Sequence, residues 1–181
     1  MGTLELQLRS ASPEDAVTIA ALAVQVFLDT YATEGVRPDQ AREAFAEYSV
    51  EAFAVRVQEP TRRFFLAEHA AGLLGFAEMQ LAAVSAPGAT VVGAELVRLY
   101  VQPGWQRHGV GRRLIRSAER AAASSGLTTI WLTAWEGNSR ARGFYAALGY
   151  QDIGTTTYSF QGKGYVNRVL AKSLHHAAGA V

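Results

Sequence analysis

Hydrophobic and polar positions change their period along the chain, and these changes divide it into strands and helices. Residues 4–9 (LELQLR) alternate, which predicts a strand with one buried face. Apolar residues then recur at helical spacing over residues 16–30. Ser12, Pro13 and Asp15 form the S-x-x-D start pattern of a capped helix. The sequence therefore begins with a predicted strand and a capped helix.

The next segment stays helical and then changes to strands. Residues 38–59 predict either one broken helix or two short ones, with Ser49 as a second cap and Pro60 at the end. Residues 63–82 predict a hairpin whose turn lies near residues 70–72. A loop of small residues is expected at 84–90.

The second half alternates strands and helices. Residues 90–101 are largely apolar, which predicts a central, buried strand. The remaining predicted elements are a helix at about 108–125, a strand at 128–135, a helix from Asn138 to Leu148 that Gly149 stops, and two strands around the turn 161–164. The predicted order is β-αα-β-β-β-α-β-α-β-β, which is typical of one mixed α/β domain.

A glycine-containing turn lies between the predicted central strand and the helix that follows it. Its sequence is QRHGVG, residues 106–111, and Arg112 and Arg113 follow directly. Glycine allows an anion to approach the backbone, and a helix N-terminus presents unpaired N–H groups and partial positive charge. Several N–H groups in one concavity suit a pyrophosphate better than a single carboxylate.

Two well-known phosphate-binding patterns do not fit this turn. The dinucleotide fingerprint needs a third glycine at the position of Leu114. The nucleotide P-loop needs Lys and Ser or Thr where Val110 and Gly111 stand. A third pattern, Q/R-x-x-G-x-G/A, matches Gln106, Gly109 and Gly111.

That pattern is the coenzyme signature of the Gcn5-related N-acetyltransferases, and the chain resembles this family over nearly its whole length. The stretch ELVRLYVQPGWQRHGVGRRLI is similar to the family's strand, turn and helix. The downstream stretch NSRARGFYAALGYQDIG is similar to its second signature. The resemblance implies a mixed, mostly antiparallel sheet of about seven strands flanked by helices. It also implies one N-acetyltransferase domain over residues 1–174, with 175–181 as a flexible tail.

The resemblance implies acetyl-CoA as the co-substrate. The pantetheine arm would lie along the backbone of Leu99, Tyr100 and Val101, where the family's strand has a bulge and separates from its neighbour. The N–H of Val101 could stabilise the oxyanion. The residues implied to hold the pyrophosphate are Gln106, Arg107, His108, Gly109, Val110, Gly111 and Arg112. Asn138 would contact the arm near the thioester.

Two residues are expected to move protons in a direct attack of an amine on the thioester. The resemblance implies that Tyr145 protonates the leaving thiolate. Glu95 is the candidate base, because several family members carry a glutamate there and a charged residue in an apolar strand needs a partner or a function. The alternatives are a water chain as base, or a salt bridge between Glu95 and an arginine such as Arg98. The chain has no cysteine, its histidines show no metal-ligand spacing, and no metal is expected.

The resemblance places the acceptor site at Phe27, Asp29, Tyr31 and Glu34. The run FLDTYATEG, the helix pair that follows it and RFFLAE look like the bacterial branch that acetylates spermidine and spermine. Residues 1–60 carry ten acidic and four basic side chains, whereas 61–181 carry six and thirteen. An acidic region suits a cationic polyamine. Amino acids, peptide N-termini and aminoglycosides remain alternative acceptors, and a non-catalytic acetyl-CoA sensor is the alternative from another class.

Composition adds expectations about location and partners. Hydrophobic residues make up 49% of the 181 residues, which is typical of a globular protein. The sequence shows no secretory signal and no apolar run near the ~20 residues that span a bilayer. We expect a cytoplasmic protein with a small-molecule amine as partner and no membrane or nucleic acid, although the arginines at 112, 113, 116 and 120 are an alternative basic stripe. Homodimers are common in the family.

Overall fold

The computed structural model describes residues 5–70, 72–160 and 163–174. The first strand, β1, is Gln7–Ser10, and the first helix, α1, is Ala16–Tyr31. A 3-10 turn, Pro13–Asp15, precedes α1, and its start has the predicted capping box of Ser12 and Asp15. The Ser12 N–H donates to the Asp15 carboxylate at 2.7 Å. The predicted helix start is confirmed.

Residues 38–58 form two short helices, so one of the two alternatives is confirmed. Helix α2 is Pro38–Glu47 and helix α3 is Val50–Gln58. The Ser49 hydroxyl accepts a hydrogen bond from the Ala52 N–H at 3.1 Å, as expected of an N-cap. Residues 48 and 49 therefore form a sharp junction between the two helices.

The other elements follow in the predicted order. They are β2 (Arg62–His69), β3 (Gly72–Ser85), β4 (Val92–Val101), α4 (Val110–Ser124), β5 (Thr129–Trp135), α5 (Ser139–Ala146), β6 (Gln151–Phe160) and β7 (Lys163–Ser173). Within the described residues, seven strands form one sheet in the order β1-β2-β3-β4-β5-β7-β6. β4 pairs with β5 in parallel, whereas β1–β2, β5–β7 and β6–β7 are antiparallel. The predicted fold class is confirmed.

Several predicted boundaries are wrong. β1 is Gln7–Ser10, whereas the prediction was 4–9. β3 continues through Ser85, so the loop predicted at 84–90 starts later. Helix α5 ends at Ala146 and not at Leu148. The N–H of Leu148 bonds to the Tyr145 carbonyl, three residues back, and Gly149 has φ +86°. A tight last turn and a left-handed glycine therefore end the helix early.

The chain divides into two compact units. The first comprises Met1–Met79 and Arg98–Ala118. Its core joins α1 and α3 to β2 and β3, and Ile19, Ala23, Phe53, Leu66 and Phe76 are fully buried there. Phe53 lies edge-on to both Phe64 and Phe76, with ring centroids about 6 Å apart.

The second unit comprises Gln80–Val97 and Glu119–Val181. Trp131 of β5 packs with Ala86, Val169 and Ala171 in its core. The Trp131 indole N–H donates to the Val84 carbonyl at 3.0 Å, which fixes the ring at the end of β3. The single domain over 1–174 stays a prediction, and the predicted tail at 175–181 lies outside the described residues.

None of the helices in the described part of the chain is long and apolar enough to cross a bilayer.

Candidate active site

The turn between β4 and α4 has the backbone that an anion site needs. Arg107 has φ +65° and Gly109 has φ +82°. Glycine adopts this left-handed conformation without penalty, whereas a residue with a Cβ is strained there. A Cβ at Gly109 would meet no atom within 4 Å. The backbone at Gly109 therefore faces open space that a ligand can enter.

The first turn of α4 supplies the hydrogen-bond donors. The first intrahelical bond runs from the Arg113 N–H to the Gly109 carbonyl at 3.1 Å. The N–H groups of Val110, Gly111 and Arg112 precede that bond and have no partner within the helix. Arg107, Arg112 and Arg113 are exposed and take part in no ion pair among the residues described. This end of α4 therefore combines open donors with unneutralised positive charge.

Gln106 connects the turn to the end of β4. Its side-chain amide donates to the Val101 carbonyl at 3.2 Å. The Gln106 carbonyl in turn lies 2.9 Å from Nδ1 of His108. The sequence predicted that Gln106 binds the pyrophosphate. In the structure its side chain instead bonds the end of β4 and so positions the turn.

The end of β4 lies very close to β3. The Gln102 N–H donates to the Leu74 carbonyl at 2.8 Å. A Cβ at Gly75 would stand only 2.6 Å from the Tyr100 carbonyl oxygen, so this position of β3 requires glycine. The Tyr100 side chain packs on the aromatic core of the first unit, with its hydroxyl 3.1 Å from that of Tyr48. Only the backbone of Tyr100 is therefore placed to contact a pantetheine arm.

Glu95 lies half-buried at the start of β4. It stands opposite Trp131 in the parallel pairing with β5, which covers two positions, Ala94 with Ile130 and Glu95 with Trp131. Arg98, the partner suggested as an alternative for Glu95, donates instead to Glu47 and Glu78. The role of Glu95 as base stays a prediction.

Asn138 and Tyr145 lie at the two ends of α5. The Asn138 side-chain oxygen accepts from the Ala141 N–H at 3.0 Å, so the predicted N-cap is confirmed. Tyr145 is 8% exposed, and burial raises the pKa of its phenol. The hydroxyl therefore stays protonated at neutral pH, which is the form that can donate a proton. The Tyr150 ring lies 5.5 Å from the Tyr145 ring, and the Tyr150 backbone N–H donates a hydrogen bond to the Tyr145 carbonyl.

Two of the four predicted acceptor residues contact each other. The rings of Phe27 and Tyr31 lie 5.1 Å apart on α1. Asp29 on α1 and Glu34 in the loop after it are exposed, and neither takes part in an ion pair within the part of the chain that the structure describes. Sequence reasoning missed the buried Gln40, whose side chain bonds the Tyr31 carbonyl and the Arg37 N–H and so positions this loop.

Sequence reasoning also missed a buried carboxylate on β3. Glu78 is fully buried and accepts hydrogen bonds from Arg62, at 2.6 Å, and from Arg98. A glutamate within an otherwise apolar strand was the signal that singled out Glu95, and the same signal marks Glu78 in GLLGFAEMQLA. Among the described residues, no group of three or more His, Cys, Asp or Glu side chains could hold a metal ion.

Comparison with known proteins identifies the family. A family model described as the acetyltransferase (GNAT) family matches residues 28–150, and the chain belongs to this family. An uncharacterized N-acetyltransferase of Mycobacterium bovis is 30% identical over 145 residues, which cover 80% of this chain and 88% of the relative. The protein is therefore an N-acetyltransferase of the GNAT type.

Two further comparisons concern Thermoplasma acidophilum. Its spermidine N(1)-acetyltransferase is 27% identical over 152 residues, which cover 82% of this chain and 89% of that protein. The crystal structure of its PaiA N-acetyltransferase in complex with coenzyme A has a TM-score of 0.73 at 22% identity, and covers 93% of this chain and 99% of that one. At this identity the structural likeness shows the fold.

Proposed function

We propose that this N-acetyltransferase transfers the acetyl group of acetyl-CoA to a primary amine of a small, polyamine-like molecule. The observation that carries the proposal is the open turn at Gly109, where a left-handed backbone leads into the donor end of α4. Arg107, Arg112 and Arg113 surround that turn with positive charge. A pyrophosphate is the anion that fits several N–H donors and arginines together.

The coenzyme contacts follow from that anchor. The pyrophosphate binds the N–H groups at the start of α4, and the pantetheine arm follows the backbone of Leu99–Val101. The Val101 N–H is the donor assigned to the oxyanion. The family resemblance assigns Asn138 to the arm near the thioester.

The chemistry is a direct transfer in which an N–C bond forms and the thioester C–S bond breaks. The acceptor ammonium first loses a proton to Glu95 or to water, because only the neutral amine attacks. The thiolate takes its proton from Tyr145, and the second proton of the attacking nitrogen, released as the amide forms, restores the Tyr145 phenol. The phenol is protonated at neutral pH, which is the form that donates as negative charge develops on sulfur. Positioning of amine and thioester supplies most of the rate acceleration.

The polyamine acceptor is supported by charge and by one relative. Many acidic side chains of residues 1–60 are already paired with arginines, as Asp15 is with Arg9 and Glu47 with Arg56. Asp29 and Glu34, in the same segment of the chain as Phe27 and Tyr31, remain exposed. Exposed carboxylates attract alkylammonium groups by charge, and aromatic rings add cation–π contacts. The Thermoplasma relative named above is a spermidine N(1)-acetyltransferase.

The test is thiol release from acetyl-CoA with spermidine, spermine, amino acids, an aminoglycoside and short peptides as acceptors. We expect turnover with spermidine or spermine. The double variant Asp29→Asn, Glu34→Gln should raise the KM for that amine, whereas Glu51→Gln, an exposed glutamate of α3, should leave it unchanged. Turnover only with another amine would contradict the proposal that the acceptor is a polyamine. Acetyl-CoA binding without any turnover would favour the non-catalytic sensor.

A further inference from the structure

A chain of ion pairs runs through the first unit and is centred on a carboxylate without solvent exposure. Among the described residues, Glu78 is the only charged residue that is buried. Arg62 and Arg98 each donate to one of its two oxygens. Each arginine also contacts a second glutamate, Arg62 with Glu59 at 2.6 Å and Arg98 with Glu47.

Stability alone is a poor reason for such a buried network. Removal of the Glu78 carboxylate from water is costly, and well-packed apolar residues are often as stable or more so. A network of this kind can instead give one defined arrangement of the elements that it connects. The elements connected by Arg98 show what that arrangement is.

Arg98 connects three elements at once. Its backbone belongs to β4, and its two terminal nitrogens donate to Glu78 of β3 and to Glu47, the last residue of α2. The planar guanidinium can make both bonds together, which a lysine ammonium on its flexible stem does far less well. Arg56 donates to the same Glu47 side chain at 2.8 Å, so the end of α2 is bonded from both sides.

The same guanidinium contacts Tyr48, the residue that directly follows Glu47. The Arg98 Cζ lies 5.5 Å from the centre of the Tyr48 ring. The Tyr48 ring in turn lies 5.4 Å from Phe27, and its hydroxyl lies 3.1 Å from that of Tyr100. Tyr48 thus joins the predicted acceptor residue Phe27 to the strand residue whose backbone is assigned to the coenzyme.

We infer that Arg98 is a positioning residue of the acceptor site: it holds the α2–α3 junction, and with it Tyr48, against β4. Loss of the two Arg98 hydrogen bonds would leave Glu47 bonded to Arg56 alone and would let the Tyr48 ring move away from Phe27 and Tyr100. Acceptor binding would weaken, whereas the turn at Gly109 would be unaffected. The inference rests on the proposed function for its kinetic part only.

Arg62 provides a matched control. It also bonds Glu78, and it also has a glutamate as its second partner, Glu59. Its second partner, Glu59, follows the end of α3, whereas Tyr48 precedes the start of that helix. A purely stabilising role of the network predicts similar effects of Arg62→Met and Arg98→Met.

The experiment compares hydrogen exchange and kinetics of Arg98→Met, Arg98→Lys and Arg62→Met. In the absence of ligand, both Arg98 variants should increase amide exchange over residues 44–53 by about tenfold, and Arg62→Met should not. The Arg98 variants should raise the acceptor KM by about tenfold with the acetyl-CoA KM within a factor of about two. Arg98→Lys keeps the positive charge, so the same two measurements can be made on this variant if Arg98→Met does not fold.

Equal exchange over residues 44–53 in the Arg98 and Arg62 variants would overturn the inference. So would a larger rise in the acetyl-CoA KM than in the acceptor KM. If the wild-type protein acetylates no amine, the proposed function fails, and the exchange comparison still decides whether Arg98 positions the junction.

Discussion

Single residues carry the chemistry of the proposed transfer, and their surroundings decide which proton each can move. Burial raises the pKa of the Tyr145 phenol, so this side chain is protonated at neutral pH. Glu95 is half-buried on a strand whose other charged residue, Arg98, is bonded elsewhere. The two residues can therefore be tested separately.

Tyr145→Phe should lower kcat by about 10- to 100-fold and change the KM for acetyl-CoA little, because the hydroxyl acts on the leaving thiolate. Steady-state kinetics with the best amine of the panel measure both constants. Tyr150→Phe is the control, since it removes a neighbouring buried hydroxyl that bonds Glu119 at 3.2 Å. An unchanged kcat in Tyr145→Phe would exclude the acid role.

Glu95→Gln should flatten the rising limb of the pH–rate profile, because an amide cannot accept the amine proton. The measurement is kcat/KM for the amine between pH 6 and 9, with Glu51→Gln as a charge-matched control. If the rising limb of the profile is the same in Glu95→Gln and Glu51→Gln, the amine is deprotonated by water or by another group.

At the scale of elements, the helix starts were predictable because the cap signals are local. Ser12, Ser49 and Asn138 were each identified from the residues that follow them, and each stands at the start of a helical segment. The end of α5 was predicted two residues too late, because the bond between Leu148 and Tyr145 depends on backbone geometry and not on residue type.

Ser49→Ala should lower the free energy of unfolding by about 1 kcal/mol, since the Ala52 N–H loses its acceptor at the start of α3. Urea denaturation measures the change. Ser85→Ala, at the exposed end of β3, should leave stability within about 0.5 kcal/mol of the wild type. Equal stability of the two variants would contradict the capping role.

The candidate site was predictable only where its residues are close in sequence. The turn 106–111 and the segment 138–145 are continuous motifs, and both were found. Arg98 bonds Glu78 and Glu47, which lie 20 and 51 residues away. Spacing cannot reveal such partners, because the fold alone brings them together. The neutralisation of Glu47 was invisible for the same reason, so the acidic charge of residues 1–60 overstated the charge available to a polyamine.

At the scale of the whole molecule, three buried tyrosines and the half-buried Tyr100 link stability to alkaline pH. Burial raises the pKa of Tyr48, Tyr100, Tyr145 and Tyr150 above the ordinary value of about 10. A raised pKa means that the unfolded chain loses these protons first. Their contribution is therefore complete below about pH 10 and decreases as the pH rises beyond it.

We expect the free energy of unfolding to fall between pH 9.5 and 11, and to fall less in Tyr145→Phe. Urea denaturation at pH 8, 9.5 and 11 measures the slope. Identical slopes for the wild type and the variant would show that Tyr145 does not contribute.

The measurement that tests the central claim most directly is calorimetric titration of acetyl-CoA into the wild type, Gly109→Glu and Gly104→Glu. The wild type should bind, and Gly109→Glu should not, because a carboxylate would occupy the anion site from a strained left-handed backbone. Gly104 lies in the same connection, has open space around it and does not need a left-handed backbone, so its variant should retain most of the affinity. Undiminished binding by Gly109→Glu, or no binding by the wild type, would contradict the assignment of this turn to the coenzyme.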